Sequence, residues 1–175
     1  MRRYLASTLL ALGMFVQSGA WAHSQTPPSQ PSQTLTVGGN VSKRLILDVA
    51  ALRSREPSQV LAVPLANKDG NPASMVRGIR LRDLLEEAKL VTQDNHTLKK
   101  TVVIARAVDG YNAVFSWNEL FNSLAGESVL VLYERDGNPL AKEEGPIALI
   151  SAKDLRTGPR HVRWLKEIEV RQVID

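Results

Sequence analysis

The period of the hydrophobic positions changes several times along the chain, and each change marks an element. Thr34 to Val37 is a short β-type run that Gly38-Gly39 breaks, and Arg44 to Leu47 is a second, after which Asp48 is placed to cap a short helix through Leu52. Gln59 to Leu65 reads as an apolar strand. Beyond the turn-rich Lys68-Asp69-Gly70-Asn71-Pro72, Leu81, Leu84, Leu85 and Ala88 recur at the spacing of one helix face, with Arg80, Arg82, Asp83, Glu86 and Glu87 on the solvated side.

In the second half, Thr101 to Val108 and Tyr111 to Phe115 are β-rich and flank Asp109-Gly110, which predicts a hairpin closed by a two-residue type I′ turn. Ser116 and Glu119 have capping-box spacing, so a helix is expected from Trp117. Val129 to Tyr133 and Ile147 to Ile150 are further strands, with a turn at Asp136-Gly137, a short helical turn around Trp164 and a last alternating strand through Ile168 and Val170. The sum is about eight strands with three or four short helices and no internal repeat, an α+β domain of mostly antiparallel or mixed sheet. Tyr111, Phe115, Trp117 and Phe121 concentrate the aromatics; Phe115 and Phe121 read as core, while Tyr111 carries a hydroxyl that needs a partner.

The N-terminus follows a different pattern. Arg2 and Arg3 precede an uncharged apolar stretch from Tyr4 to Val16, and Ala20-Trp21-Ala22 sets small residues where a signal peptidase reads. The expectation is a signal peptide over residues 1–22 cut after Ala22, a flexible Pro/Ser/Gln linker over 23–33 and a folded domain over 34–175, placed in the periplasm or secreted. The apolar stretch is shorter than the roughly 20 residues that span a bilayer, so no membrane span is expected after cleavage. Arg2 and Arg3 are the only charged residues before position 23, so their removal lowers the formal charge from +4 to +2 and leaves no basic run. Nucleic acid is therefore not an expected partner.

Composition removes several chemistries. The 175 residues include no cysteine, which excludes disulfides, thiolate metal sites and thiol nucleophiles. The chain contains no Gly-x-Ser-x-Gly, no phosphate-cradling glycine loop and no His-Glu-x-x-His. The adjacent pairs Glu86-Glu87 and Glu143-Glu144 read as diverging surface carboxylates rather than catalytic dyads. A cationic group at Arg156, Arg160, His161 and Arg163, interrupted by Gly158-Pro159, offers guanidinium and backbone donors to an anion, or else forms a solvated basic loop beside Asp154, Glu167 and Glu169.

The order of the segments resembles a known family. Leu35 to Val41, Arg77-Gly-Ile-Arg-Leu-Arg-Asp-Leu-Leu85, Val108-Asp-Gly-Tyr-Asn-Ala-Val-Phe-Ser116, Val129 to Leu140, Glu144-Gly-Pro146 and Val162-Arg-Trp-Leu-Lys-Glu-Ile-Glu-Val170 together resemble the oxidoreductase molybdopterin-binding domain of the sulfite-oxidase type, in a small secreted version. The resemblance implies molybdopterin as cofactor, with Asp109, Tyr111, Arg160 and Arg163 as candidate cofactor-cleft residues; Arg160 and Arg163 match family positions that approach the pterin phosphate. It also implies a cysteine ligand to molybdenum in the region before Arg77, which this chain lacks, and a histidine before Gly-x-Pro where this chain has Glu144. The expectation is a non-catalytic domain on this scaffold that binds a small anionic or heterocyclic ligand or an envelope protein partner. The alternatives are a molybdopterin oxidoreductase, or an accessory to one, whose metal lacks a protein thiolate, and an envelope interaction or sensory module.

Overall fold

The computed structural model describes residues 33–66, 70–92 and 94–173. The expected signal peptide and nearly all of the expected linker lie outside the described residues. In chain order the elements are β1 (Thr34–Gly39), β2 (Leu45–Asp48), α1 (Val49–Arg53), β3 (Val60–Ala66), β4 (Pro72–Arg80), α2 (Leu81–Ala88), α3 (Asn95–Lys99), β5 (Thr101–Ala107), β6 (Asn112–Ser116), α4 (Trp117–Phe121), β7 (Val129–Arg135), β8 (Asn138–Pro139), β9 (Ala148–Ser151) and β10 (Leu165–Gln172). This is the α+β fold read from the sequence, with strands dominant and the helices short.

Two sheets divide the strands. The first has the order β2-β1-β10-β5-β6, in which β1 runs parallel to β10 and the other pairs are antiparallel. The second runs β3-β4-β7, and the far side of β7 is shared by β9, opposite Val129 to Leu132, and β8, opposite Glu134 and Arg135. Leu35 and Val37 of β1, Leu84 and Leu85 of α2, Phe115 of β6, Val131 of β7 and Ile168 of β10 belong to one buried cluster that joins the sheets. A smaller cluster on the opposite face of the second sheet contains Val76, Leu130, Leu132 and Ile150. Strand β7 feeds both, which is why it reads as a continuous apolar run instead of an alternating one.

Several local expectations meet a physical counterpart. Asp48 caps α1 by accepting from the Ala51 N–H at 2.7 Å, and Ser116 caps α4 by accepting from the Glu119 N–H at 3.0 Å. The Glu119 carboxylate, however, turns away to Arg160, so only half of the capping box forms. The β5–β6 connection is not a two-residue type I′ turn. Gly110 N–H donates to the Ala107 carbonyl at 3.3 Å, Ala107 N–H donates to the Tyr111 carbonyl at 2.8 Å, and of the loop residues only Gly110 has positive φ, at 92°. This is a three-residue loop, a type I turn followed by a left-handed glycine. Asp109 accepts from the Tyr111 N–H at 2.9 Å, which favours this arrangement over the shorter turn. The type I′ turn occurs instead at Asp136-Gly137, where φ is 51° and 79°.

Strand β4 and helix α3 have no counterpart in the pattern reading. Pro72, Ser74 and Gly78 dilute the β-type composition of β4, yet it sits between β3 and β7 because its Val76 and Ile79 are fully buried. The helical turn expected around Trp164 lies earlier, as a 3-10 turn at Gly158–Arg160, and Trp164 itself has φ of 51° at the entry to β10.

Candidate functional site

The β5–β6 loop and the segment that leads into β10 face each other across an open depression of about 260 Å³, lined by Asp109, Tyr111, Gly158, His161 and Arg163. Three of the four residues singled out from the sequence therefore meet at one place. Tyr111 does not join Ala113 and Phe115 in the core, because the extra loop residue leaves it outside the strand; it is 44% exposed. Its hydroxyl finds the expected partner in the Pro159 carbonyl, to which it donates at 2.7 Å. That bond fixes the ring against the opposite wall. Arg163 is exposed and, among the described residues, has no hydrogen bond or ion pair.

Arg160 does not line the depression. Its guanidinium lies over the Phe115 ring, 5.0 Å from the centroid, donates through Nε to Asp154 at 2.6 Å and through both terminal nitrogens to Asp154 and Glu119. The Ser151 hydroxyl donates to the same aspartate at 2.7 Å. The hydrogen bonds from Arg160, and then from Ser151, hold the Asp154 carboxyl below its usual range despite partial burial. The basic cluster seen in the sequence is thus dispersed: Arg160 is engaged by Asp154 and Glu119, His161 meets Glu144, Arg156 faces a separate groove and Arg163 is unpaired at the depression.

On the other side of Gly158, Ala66, Ala152, Leu155, Arg156 and Pro159 line a larger groove of about 660 Å³. The Gly158–Pro159 backbone is a rib between the two hollows, fixed by Tyr111 at one end and by Arg160 next to it in the chain.

Sequence reasoning missed Glu144. The Glu143-Glu144 pair does diverge, but only Glu143 is on the surface; Glu144 is buried, receives Arg135 at 2.7 Å and meets His161 Nε2 at 2.8 Å. Burial alone would raise its pKa, yet the hydrogen bonds from His161 and Arg135 outweigh it and hold the carboxyl down at about 2. An ionised carboxylate at Nε2 keeps the proton on that nitrogen, which sets the tautomer of the His161 ring at the depression wall. The adjacent Gly145, with φ of 83°, leaves room for Trp164: a Cβ there would sit 2.7 Å from the indole. No local motif signals this contact, since Glu144 meets His161 and Trp164 only through the pairing of the segment leading into β9 with the segment leading into β10, at Leu149 with Val162 and Ile147 with Leu165.

The cofactor implied by the resemblance can be weighed against these donors. The chain has no thiolate, and among the described residues no group of three His, Asp or Glu side chains is placed to hold a metal ion. Arg160, which would approach a pterin phosphate, already donates from all three guanidinium nitrogens to two carboxylates of the chain itself. These residues do not fit the family's molybdenum centre. No helix among the described residues is long and apolar enough to cross a membrane.

No curated protein matches the chain in sequence. In fold it is similar to the sulfane dehydrogenase SoxCD from Paracoccus pantotrophus, with a TM-score of 0.60 and 16% identity, over 80% of this chain and 39% of that one. The chain thus spans well under half the length of that protein. The family model described as the oxidoreductase molybdopterin-binding domain matches residues 23–173, and on that match the chain belongs to the oxidoreductase molybdopterin-binding domain family.

Proposed function

We propose that this chain is a non-catalytic, exported member of the family, which uses the depression between the β5–β6 loop and the entry to β10 to bind a small heterocyclic anion. The observation that supports this reading most is the unpaired Arg163 beside the fixed Tyr111 ring and the Asp109 carboxylate. The chemistry of the three groups is complementary to one class of ligand. A guanidinium takes a carboxylate or a similar single negative charge, a tyrosine ring takes a planar face, and a carboxylate accepts from ring N–H or amino groups. A volume of about 260 Å³, open on one side, suits one or two fused rings rather than a whole nucleotide-like cofactor. The absence of cysteine supports binding over redox chemistry on the metal.

Thermal melting of the full chain with pterin-6-carboxylate, quinoline-2-carboxylate and orotate tests the reading. A ligand present at 100 times its dissociation constant adds about 2.7 kcal/mol, which for a domain of this size raises Tm by roughly 5–10 °C. Arg163→Ala is expected to abolish the shift, while Arg156→Ala, on the far side of the rib, leaves it. Absence of any shift, or a shift that survives Arg163→Ala, contradicts the proposal.

A further inference from the structure

We infer that Asp154 and Glu119 occupy, from within the chain, the place that an external anion would take on Arg160, and that this pair of carboxylates makes the site select against phosphorylated ligands. All three guanidinium nitrogens of Arg160 already donate to carboxylate oxygens, two of them to Asp154 as a fork and one to Glu119. The fork geometry is the one a guanidinium offers to phosphate, so Asp154 competes for the same donors. The Phe115 ring beneath and the Ser151 hydroxyl on Asp154 fix both partners, so the arrangement is held without help from a ligand.

Charge points the same way. One arginine faces two carboxylates, so these three side chains together carry one excess negative charge, with Asp154 on the wall of the groove behind the rib. A ligand whose ring occupies the depression and whose phosphate extends past Gly158 would meet the Asp154 carboxylate and find Arg160 already engaged, with the exposed Arg156 as the cation on that side. Discrimination by a built-in repulsive group is a common way to separate ligands that share a head and differ in a tail. The three residues come from separate parts of the fold, α4 for Glu119, the loop after β9 for Asp154 and the 3-10 turn for Arg160. The clamp therefore also sets the position of the rib on which Tyr111 rests. The selectivity rests on the depression being a ligand site; the state of Arg160 does not, and it is tested separately.

Pyrophosphate and inorganic phosphate are titrated into the full chain at low ionic strength and followed by calorimetry. The native chain is expected to show no pyrophosphate binding that Arg160→Gln removes, and Asp154→Asn with Glu119→Gln to bind pyrophosphate saturably and at least tenfold more tightly than the native chain, an affinity that Arg160→Gln added to the pair removes. Saturable binding by the native chain that is lost in Arg160→Gln overturns the inference, as does a folded double variant that binds no more tightly than the native chain. If the double variant does not fold, the Arg160 Nε–H resonance of the native chain decides. A resonance that pyrophosphate leaves in place supports the clamp, and one that it shifts overturns it. Binding of a heterocyclic carboxylate at Arg163 is read in the melting experiment and is unaffected by either result.

Discussion

Glu144 does more for the site than its place in a run of polar residues suggests. Its carboxylate is the shared acceptor of Arg135 and His161, and through His161 it fixes one wall of the depression. Its pKa, held at about 2 against an ordinary value of 4.5, sets the sign of a pH effect. The unfolded chain takes up the proton first as the pH falls, so the stabilisation is complete above the ordinary glutamate range and is lost as the pH drops toward 2. At neutral pH the contribution is on the order of 3 kcal/mol. Glu144→Gln is expected to lower the urea midpoint at pH 7 and to lose that difference progressively between pH 5 and pH 2. A difference that stays constant over this range would show that the residue acts by packing alone. Residue identity made the cationic cluster visible from the sequence, but identity does not reveal which cation is already paired. Arg160 and Arg163 look equivalent in a string of letters, and only the fold places Asp154 and Glu119 around the first of them.

Between elements, the contact of Trp164 with Gly145 joins the entry of β10 to the loop ahead of β9. Trp164 N–H donates to the Glu144 carbonyl at 2.9 Å, and its own carbonyl accepts from Val108 N–H at 3.0 Å, so one residue ties the loop after β5 to the second sheet. Gly145→Ala places a Cβ in the indole ring and a side chain at φ of 83°, and is expected to cost at least about 2 kcal/mol, read as a lower urea midpoint with an unchanged slope. An unchanged midpoint would mean that the loop relaxes freely. Elements with strong local signals were legible in advance: α2 from its face of three leucines and one alanine, the caps at Asp48 and Ser116, the β5–β6 hairpin from its composition. The hairpin loop type was not, because Asp-Gly serves both a two-residue turn and a type I turn with a trailing glycine, and the choice depends on the Asp109 side chain. Strand β4 was hidden because its stability comes from neighbours on both edges and not from its own propensity.

For the whole molecule, family membership fixes the scaffold, while the proposed function departs from cofactor chemistry on it. The two-sheet scaffold, the core that joins the sheets and the depression at the β5–β6 loop are all present. The donors for a molybdenum site of the family's kind do not fit on it, with no cysteine in the chain and Arg160 engaged by Glu119 and Asp154. A fold of this kind fixes where a ligand can sit without fixing what chemistry follows. Metal analysis of the protein purified from its own source without refolding addresses the central claim directly. The account predicts molybdenum far below one equivalent even when the cell is supplied with molybdate. Molybdenum near one equivalent would contradict it, because a centre would then be assembled here without a protein thiolate, and the chain would belong among the family's oxidoreductases.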